Sequence, residues 1–224
     1  MAGRAAARER PKTRTRILVA CRRLFNERGP ADVTTAELAA AVGINEGNLY
    51  YHFQRKEQLV AALFDEYEQS FRGVAAAYQA GADDPAHYRD YFAGWFNLMW
   101  EWRFFYRDGA AVDRLAPRLR RHLKSLADDG QGQIRRVLQG MVAARLLEAS
   151  PAEIETLIVN GWIVATYWID YLRSRHGIGT IRREHIDWGA TQAMSLFLPY
   201  LTPRGRVVVE IASSSGDGHD AARR

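Results

Sequence analysis

Between Thr34 and Phe53 the sequence reads TTAELAAAVGINEGNLYYHF, and its closely spaced start, stop and cap signals read as two short helices set at an angle by a tight turn. Thr34 followed three residues later by Glu37 is a capping box, in which each residue satisfies an otherwise orphaned backbone N–H near the other. Leu38 and Val42 fall one turn apart on one face. Gly43 follows as the stop signal, because the residue just past a helix end often needs the left-handed conformation that glycine adopts without steric cost. Ile44 plugs the turn. Asn45 caps the second helix, whose early turns present Glu46, Gly47, Asn48, Tyr50 and Tyr51 while Leu49 and Phe53 point back to the core. A helix with short polar residues at its front end fits a major groove.

From about Arg14 to Leu63 the chain resembles the DNA-binding domain of the tetracycline-repressor (TetR) family of bacterial regulators. The resemblance rests on a first helix ending in Leu24, Phe25 and Gly29 and on the framework Thr34, Thr35, Leu38, Ala39 and Gly43. It continues through the run Leu49-Tyr50-Tyr51-His52-Phe53 and Lys56-Glu57 with Leu59 beyond. It implies an all-α protein, with a helix-turn-helix head and a helical body for ligand binding and dimerisation. The implied function is a transcriptional regulator, in the first instance a repressor, that binds a palindromic double-stranded operator as a homodimer and lets go when a small molecule fills the body. By the same resemblance Thr35, Tyr50 and Lys56 match positions that hold the DNA backbone, and a hydroxyl, a phenol and an ammonium suit that task. Base reading falls to Glu46, Gly47 and Asn48, with Tyr51 and His52 completing the interface. Asn pairs with adenine, Glu accepts from cytosine, and glycine lets the backbone approach closely. Glu46 also has a purely structural use, as a carboxylate at a helix start. Two rival functions are a helical ligand-binding or catalytic protein that merely retains the head, and a non-specific DNA-packaging protein. The intact recognition helix argues against the first; binding that survives competitor DNA and physiological salt separates the second.

The net charge of +5 matters for where it sits. Residues 1–16 hold Arg4, Arg8, Arg10, Lys12, Arg14 and Arg16 against the single acid Glu9, so this segment carries the whole excess. A disordered basic arm ahead of the helix-turn-helix is placed to lie along phosphates or enter a minor groove, though a solvated chain start is an equal reading. The expected boundaries are an arm over 1–16, the head over 17–60, the body over 61–201 and a disordered Gly, Ser, Asp and Arg tail over 202–224, with Val207–Ile211 a strand lacking a visible partner. A single cysteine, Cys21, excludes an intramolecular disulfide and falls on the apolar face of the first helix. No leader or transit segment is read, and no apolar run reaches the ~20 residues of a membrane span, so a soluble, cytoplasmic protein is expected.

The body reads as helical throughout. At helical spacing from Tyr88, Phe92, Trp95, Met99, Trp102 and Tyr106 make one aromatic line that Phe96 and Trp100 widen. Such a stripe is core in many proteins; here it is also read as the wall of an apolar pocket for an apolar or aromatic effector, formed by Trp95, Phe96, Met99, Trp100 and Trp102 with Arg103 as the orienting polar group. A fourth helix from near Lys56, carrying Leu59, Leu63, Tyr67 and Phe71, is long enough to join head to body. Leu119 to Met141 trace another helix in which Gly130, Gly132 and Gly140 predict a bend or break near Asp129-Gly130. Ser150-Pro151 with Glu153 opens a helix that is apolar from Leu157 to Ile169 but for Asn160 and Thr166, and a last helix runs from about Arg183 to Leu201. Two adjacent helices this apolar need a partner surface, and in the resembled family the last two helices pair with their twins in a four-helix bundle. Trp162, Ile169, Ile186, Ala190, Ala193 and Phe197 are expected in that interface. The six histidines are scattered and no HExxH, Cys-His, phosphate-cradling or nucleophile-elbow pattern is present. The sequence therefore calls for no catalytic residue, metal or cofactor.

Overall fold

The computed structural model describes residues 12–78 and 82–208. Most of the basic arm (1–11) and the tail beyond 208 lie outside the described residues. The head consists of α1 (Thr13–Arg28), α2 (Thr35–Val42) and α3 (Glu46–His52), and α4 (Lys56–Ala76) leads out of it. The body follows with α5 (Pro85–Glu101), α6 (Arg103–Arg107), α7 (Gly109–Leu115), α8 (Arg120–Ala143), α9 (Pro151–His176) and α10 (Arg183–Ser195). An isolated antiparallel bridge between Leu147 and Leu201 is the only extended pairing among the described residues.

Local signals act as read. Both halves of the Thr34–Glu37 capping box form, and Gly43 sits left-handed at φ +72°. Ser150 and Glu153 repeat the box at the start of α9, with Pro151 in its first turn and a left-handed Gly177 closing it. The arm, however, is shorter than its composition implies. α1 begins at Thr13, and Arg14 lies 5.1 Å from the centre of the Phe53 ring while Arg16 donates to the Val42 carbonyl, so both arginines brace the helix-turn-helix.

The head has no core of its own. Ile17, Phe25, Leu49, Leu59 and Leu63 belong to one continuous buried cluster with Trp102, Phe104, Phe105 and Val112 of the body. A second cluster fills the space between α5, α8, α9 and α10.

Three expectations change. The aromatic line from Tyr88 to Tyr106 is not one helix, because Asn26 of α1 takes over its backbone groups. The Phe104 N–H donates to Asn26 Oδ1 at 3.1 Å and Asn26 Nδ2 donates to the Glu101 carbonyl at 2.8 Å, while the Arg103 guanidinium takes the Trp100 carbonyl at 2.9 Å. The chain breaks at Trp102 and restarts as α6. Second, α8 runs unbroken through all three of its glycines. A Cβ on Gly130 would stand 2.9 Å from Cζ of Phe71, and one on Gly140 2.1 Å from the Tyr78 hydroxyl, so these two positions give room to rings from α4 and the segment after it. Third, residues 202–208 are ordered: Thr202 N–H donates to the Leu146 carbonyl, Arg204 pairs with Asp83, and Val208 is buried.

The same close approach occurs at Gly189, where a Cβ would lie 2.5 Å from Cδ1 of Trp168. Trp168 cannot easily yield, since its indole N–H donates to the His185 carbonyl at 2.7 Å and its ring packs on Tyr171 and Trp188. Gly189→Ala should therefore lower stability by about 1–3 kcal/mol despite alanine's better helix propensity. Urea unfolding checks this, and an unchanged or higher midpoint would show that Trp168 moves freely.

Candidate nucleic-acid interface

α2 and α3 meet across the Gly43–Asn45 turn, and side chains expected at DNA tie them together. Thr35 Oγ1 donates to Glu46 Oε1 at 3.0 Å and lies 3.1 Å from the Tyr50 hydroxyl. Asn45 spends its side-chain oxygen on the Asn48 N–H at 2.8 Å, which fixes the first turn of α3 and leaves Asn48 itself exposed. Tyr51 is 84% exposed, with the edge of the His52 ring against it. Thr35 is half-buried, and Glu46, Gly47, Asn48, Tyr50 and Tyr51 are exposed. Lys56 differs, being folded back toward the Ala31 carbonyl at 3.4 Å and over the Phe25 ring, where partial burial lowers its pKa. Cys21, beneath this face, is fully buried, and desolvation holds its thiol far above the ordinary pKa.

Behind the head stands a joint that sequence reasoning missed. Arg107, at the end of α6, is buried and donates to the carbonyls of Phe25, Asn26 and Glu27 at 2.9, 3.0 and 3.3 Å. These belong to the last turn of α1, whose carbonyls a helix cannot satisfy internally and whose dipole favours a cation. Asp108 accepts from Arg107 Nε at 2.6 Å and reaches Arg173 of α9 at 3.8 Å. An arginine directly after the apolar run Phe104-Phe105-Tyr106 is the available signal. The Phe25 carbonyl also accepts from the Gly29 N–H at 2.9 Å, so Arg107→Met should leave chiefly the Asn26 and Glu27 carbonyls without this donor and cost about 3 kcal/mol. Hydrogen exchange should quicken more in α1–α3 than in α8–α10; equal loosening of both would deny Arg107 its role as joint.

A cavity of about 240 Å³ lies next to this joint. Of the residues expected there, Trp95, Phe96 and Met99 line it, together with Tyr67 and Phe71 of α4 and Tyr106 of α6. Trp100, Trp102 and Arg103 do not. Trp102 is 1% exposed in the joint core beneath the Arg22 guanidinium, because the chain breaks there. Trp100, on the flank of α5, and Arg103, stacked on it at 4.0 Å, face a separate cleft beside Arg22 and Asn97.

The surface expected for dimerisation also shifts. Ile169, Ile186, Ala190, Ala193 and Phe197 are buried within the subunit, and Trp162, Ala193 and Phe197 line the cavity. α10 turns its apolar face inward onto α5 and α9, so those residues are spent inside one chain. What remains outside is a stripe on α9, Val159, Ile163, Tyr167 and Tyr171, each roughly half exposed and spaced by one turn, with Leu198 exposed beyond α10.

Residues 66–208 match the TetR family model described as a bacterial transcriptional repressor, and residues 17–63 match the model of bacterial regulatory proteins of the tetR family. The chain belongs to the TetR family. A solved TetR-family transcriptional regulator from Marinobacter aquaeolei VT8 is similar over 91% of this chain and 98% of its own, with 28% identity and a TM-score of 0.79. Among curated proteins, the HTH-type transcriptional regulator TtgR of Pseudomonas putida is 38% identical over 69 residues, 31% of this chain and 33% of its own. AcrR of Shigella flexneri, also an HTH-type transcriptional regulator, is 31% identical over 77 residues, 34% and 36% of the two chains. The chain thus spans about a third of the length of these curated relatives. The family is one of transcriptional regulators, and the described residues contain no helix long and apolar enough to cross a membrane.

Within this TetR-family head, Gly47 is the residue that folding does not explain. A Cβ there would meet only Asn45 Oδ1, at an ordinary 3.5 Å, so alanine fits and should stabilise the head by roughly 0.5–1 kcal/mol. A glycine that the fold does not require leaves room for close approach of another molecule to the start of α3. Gly47→Ala should raise the melting temperature while weakening specific DNA binding about tenfold, and undiminished binding in a titration would remove Gly47 from the interface.

Proposed function

We propose that the protein is a cytoplasmic, dimeric DNA-binding repressor that reads a near-palindromic operator and releases it when an apolar or aromatic small molecule fills the body cavity. The observation that carries this reading is the double duty of α6. Phe105 and Tyr106 line the cavity, while Phe104 and Arg107 grip the end of α1. A molecule that enters the cavity therefore presses on the helix that holds the head. It acts as an inducer only if it binds the DNA-incompetent form more tightly, since a ligand indifferent to the two forms shifts nothing. A small change in head position is enough, because the two recognition helices must enter major grooves about 34 Å apart.

On the DNA, Thr35, Tyr50 and Lys56 hold phosphates and Asn48 leads the base reading, with Gly47 admitting the groove edge. Lys56 has to swing off the Ala31 carbonyl to reach a phosphate; a long stem and one weak contact make that inexpensive. Glu46, engaged by Thr35, orients α3 as much as it reads bases. The twin subunit covers the α9 stripe, since four apolar and aromatic side chains at one-turn spacing are what a bundle partner buries.

Selection of DNA sites from a random pool tests the function: a dyad-symmetric site bound in the presence of competitor DNA supports it, and salt-sensitive binding without sequence preference defeats it. Ile163→Glu places a charge at the centre of the stripe, where pairing would desolvate it. The variant should fold, elute as a monomer and lose operator affinity at least a hundredfold. An intact dimer carrying this change would put the interface elsewhere.

A further inference from the structure

We infer that the effector is an uncharged molecule of about two fused rings that carries a hydrogen-bond acceptor, a carbonyl-type oxygen, and that the paired hydroxyls of Tyr67 and Tyr106 read that oxygen. The inference rests on the reading of the cavity as the effector site. No Asp, Glu, Lys, Arg or His stands on the cavity wall among the described residues, so an ion entering it would lose hydration with no counter-charge in return. Size follows from volume. An apolar cavity of about 150 Å³ holds benzene; the 240 Å³ here is in proportion to two fused rings.

The acceptor follows from counting hydrogens. Tyr67 and Tyr106 face one another with hydroxyl oxygens 2.8 Å apart, and both residues line the cavity. Two hydroxyls carry two hydrogens, and their mutual bond uses one. Among the described residues neither makes another hydrogen bond, so one O–H is left over as a donor. Burial raises the Tyr106 pKa to about 12 and that of Tyr67 well above its ordinary value, so both hydroxyls keep their protons at neutral pH. A ligand oxygen meets this surplus; a hydrocarbon leaves it unmet. The position of the pair also gives the contact a consequence, because Tyr67 belongs to α4 and Tyr106 to α6, the two helices that join body to head. An oxygen accepting from the spare O–H of this pair bears on both helices at once.

The test titrates the full-length protein calorimetrically with α-tetralone, tetralin and naphthoate, which have the same two-ring frame with a neutral acceptor, no polar group and a charge. α-Tetralone should bind about fivefold to tenfold tighter than tetralin, the ratio that one net hydrogen bond supplies, and naphthoate should bind most weakly. In the double variant Tyr67→Phe with Tyr106→Phe, which removes both hydroxyls and leaves no orphan, α-tetralone should fall to the affinity of tetralin. Equal binding of the two neutral compounds by the unaltered protein, tightest binding of naphthoate, or a preference that survives in the double variant overturns the inference. If none of the three compounds binds, the inference fails together with the reading of the cavity beneath it, whereas tetralin binding as tightly as α-tetralone leaves the cavity and removes only its reader.

Discussion

The grip of Arg107 on the end of α1 is the contact on which the rest of this structure depends. A helix ends with carbonyls that nothing inside it can satisfy, and a three-helix head of this size has little apolar surface with which to bury them. Here the body supplies the partner. Arg107 meets the carbonyls of Phe25, Asn26 and Glu27, and Asn26 in return supplies both halves of the hydrogen bonding at the break between α5 and α6. Head and body are therefore each completed by the other. A buried guanidinium with several acceptors is costly to disturb, because every displaced bond leaves a desolvated polar group, and that makes the joint stiff. On the proposed function, that stiffness is what would let a change at the cavity be felt at α3.

Much of the head is legible in the sequence because its signals are local. Thr34 with Glu37, Gly43 and Asn45 act within one turn of chain, and the structure uses each as its residue type dictates. The alternation of buried and exposed residues in α3 is likewise a matter of period, and it places Asn48 and Tyr51 outside and Leu49 inside. The body is legible as helix but not as site. A helical wheel that assigns Trp102 and Arg103 to a pocket assumes a continuous helix, and the break at Trp102 is caused by Asn26, 76 positions earlier in the chain. No window on residues 85–106 contains that information.

Glycines mislead for a related reason. Backbone propensity assigns each of those in α8 a cost of about 1 kcal/mol, whereas their use is decided by what packs against them. Phe71 lies where a Gly130 side chain would be, and Tyr78 where one on Gly140 would be. Without a side chain at Gly130, Phe71 of α4 approaches α8 closely, and both residues line the cavity. Gly132, with only an arginine tip near it, has no such partner. The same residue type in one helix therefore has packing significance at two positions and none at the third, a distinction made by tertiary contacts alone.

The exposed stripe on α9 shows the limit of reading apolarity without direction. α9 is apolar on nearly every side, and a helix of that kind offers no moment from which to tell its inward face from its outward one. Its inward residues, Ile154, Leu157, Ile158 and Ile169, close the subunit's own core, which leaves Val159, Ile163, Tyr167 and Tyr171 as the face with work still to do. Trp162 stands between the two, on the cavity wall and one residue from the stripe. Arg173, two residues past Tyr171 on the same helix, reaches Asp108 and through it Arg107. One helix thus touches the cavity, the exposed stripe and the acidic residue that anchors the joint. A twin subunit packed on that stripe would fix α9 in place, and with α9 fixed a molecule in the cavity would push on the other lining helices, α4 and α6 among them. On the proposed reading dimerisation would do more than bring two heads together, since it would supply a rigid wall against which the cavity could act.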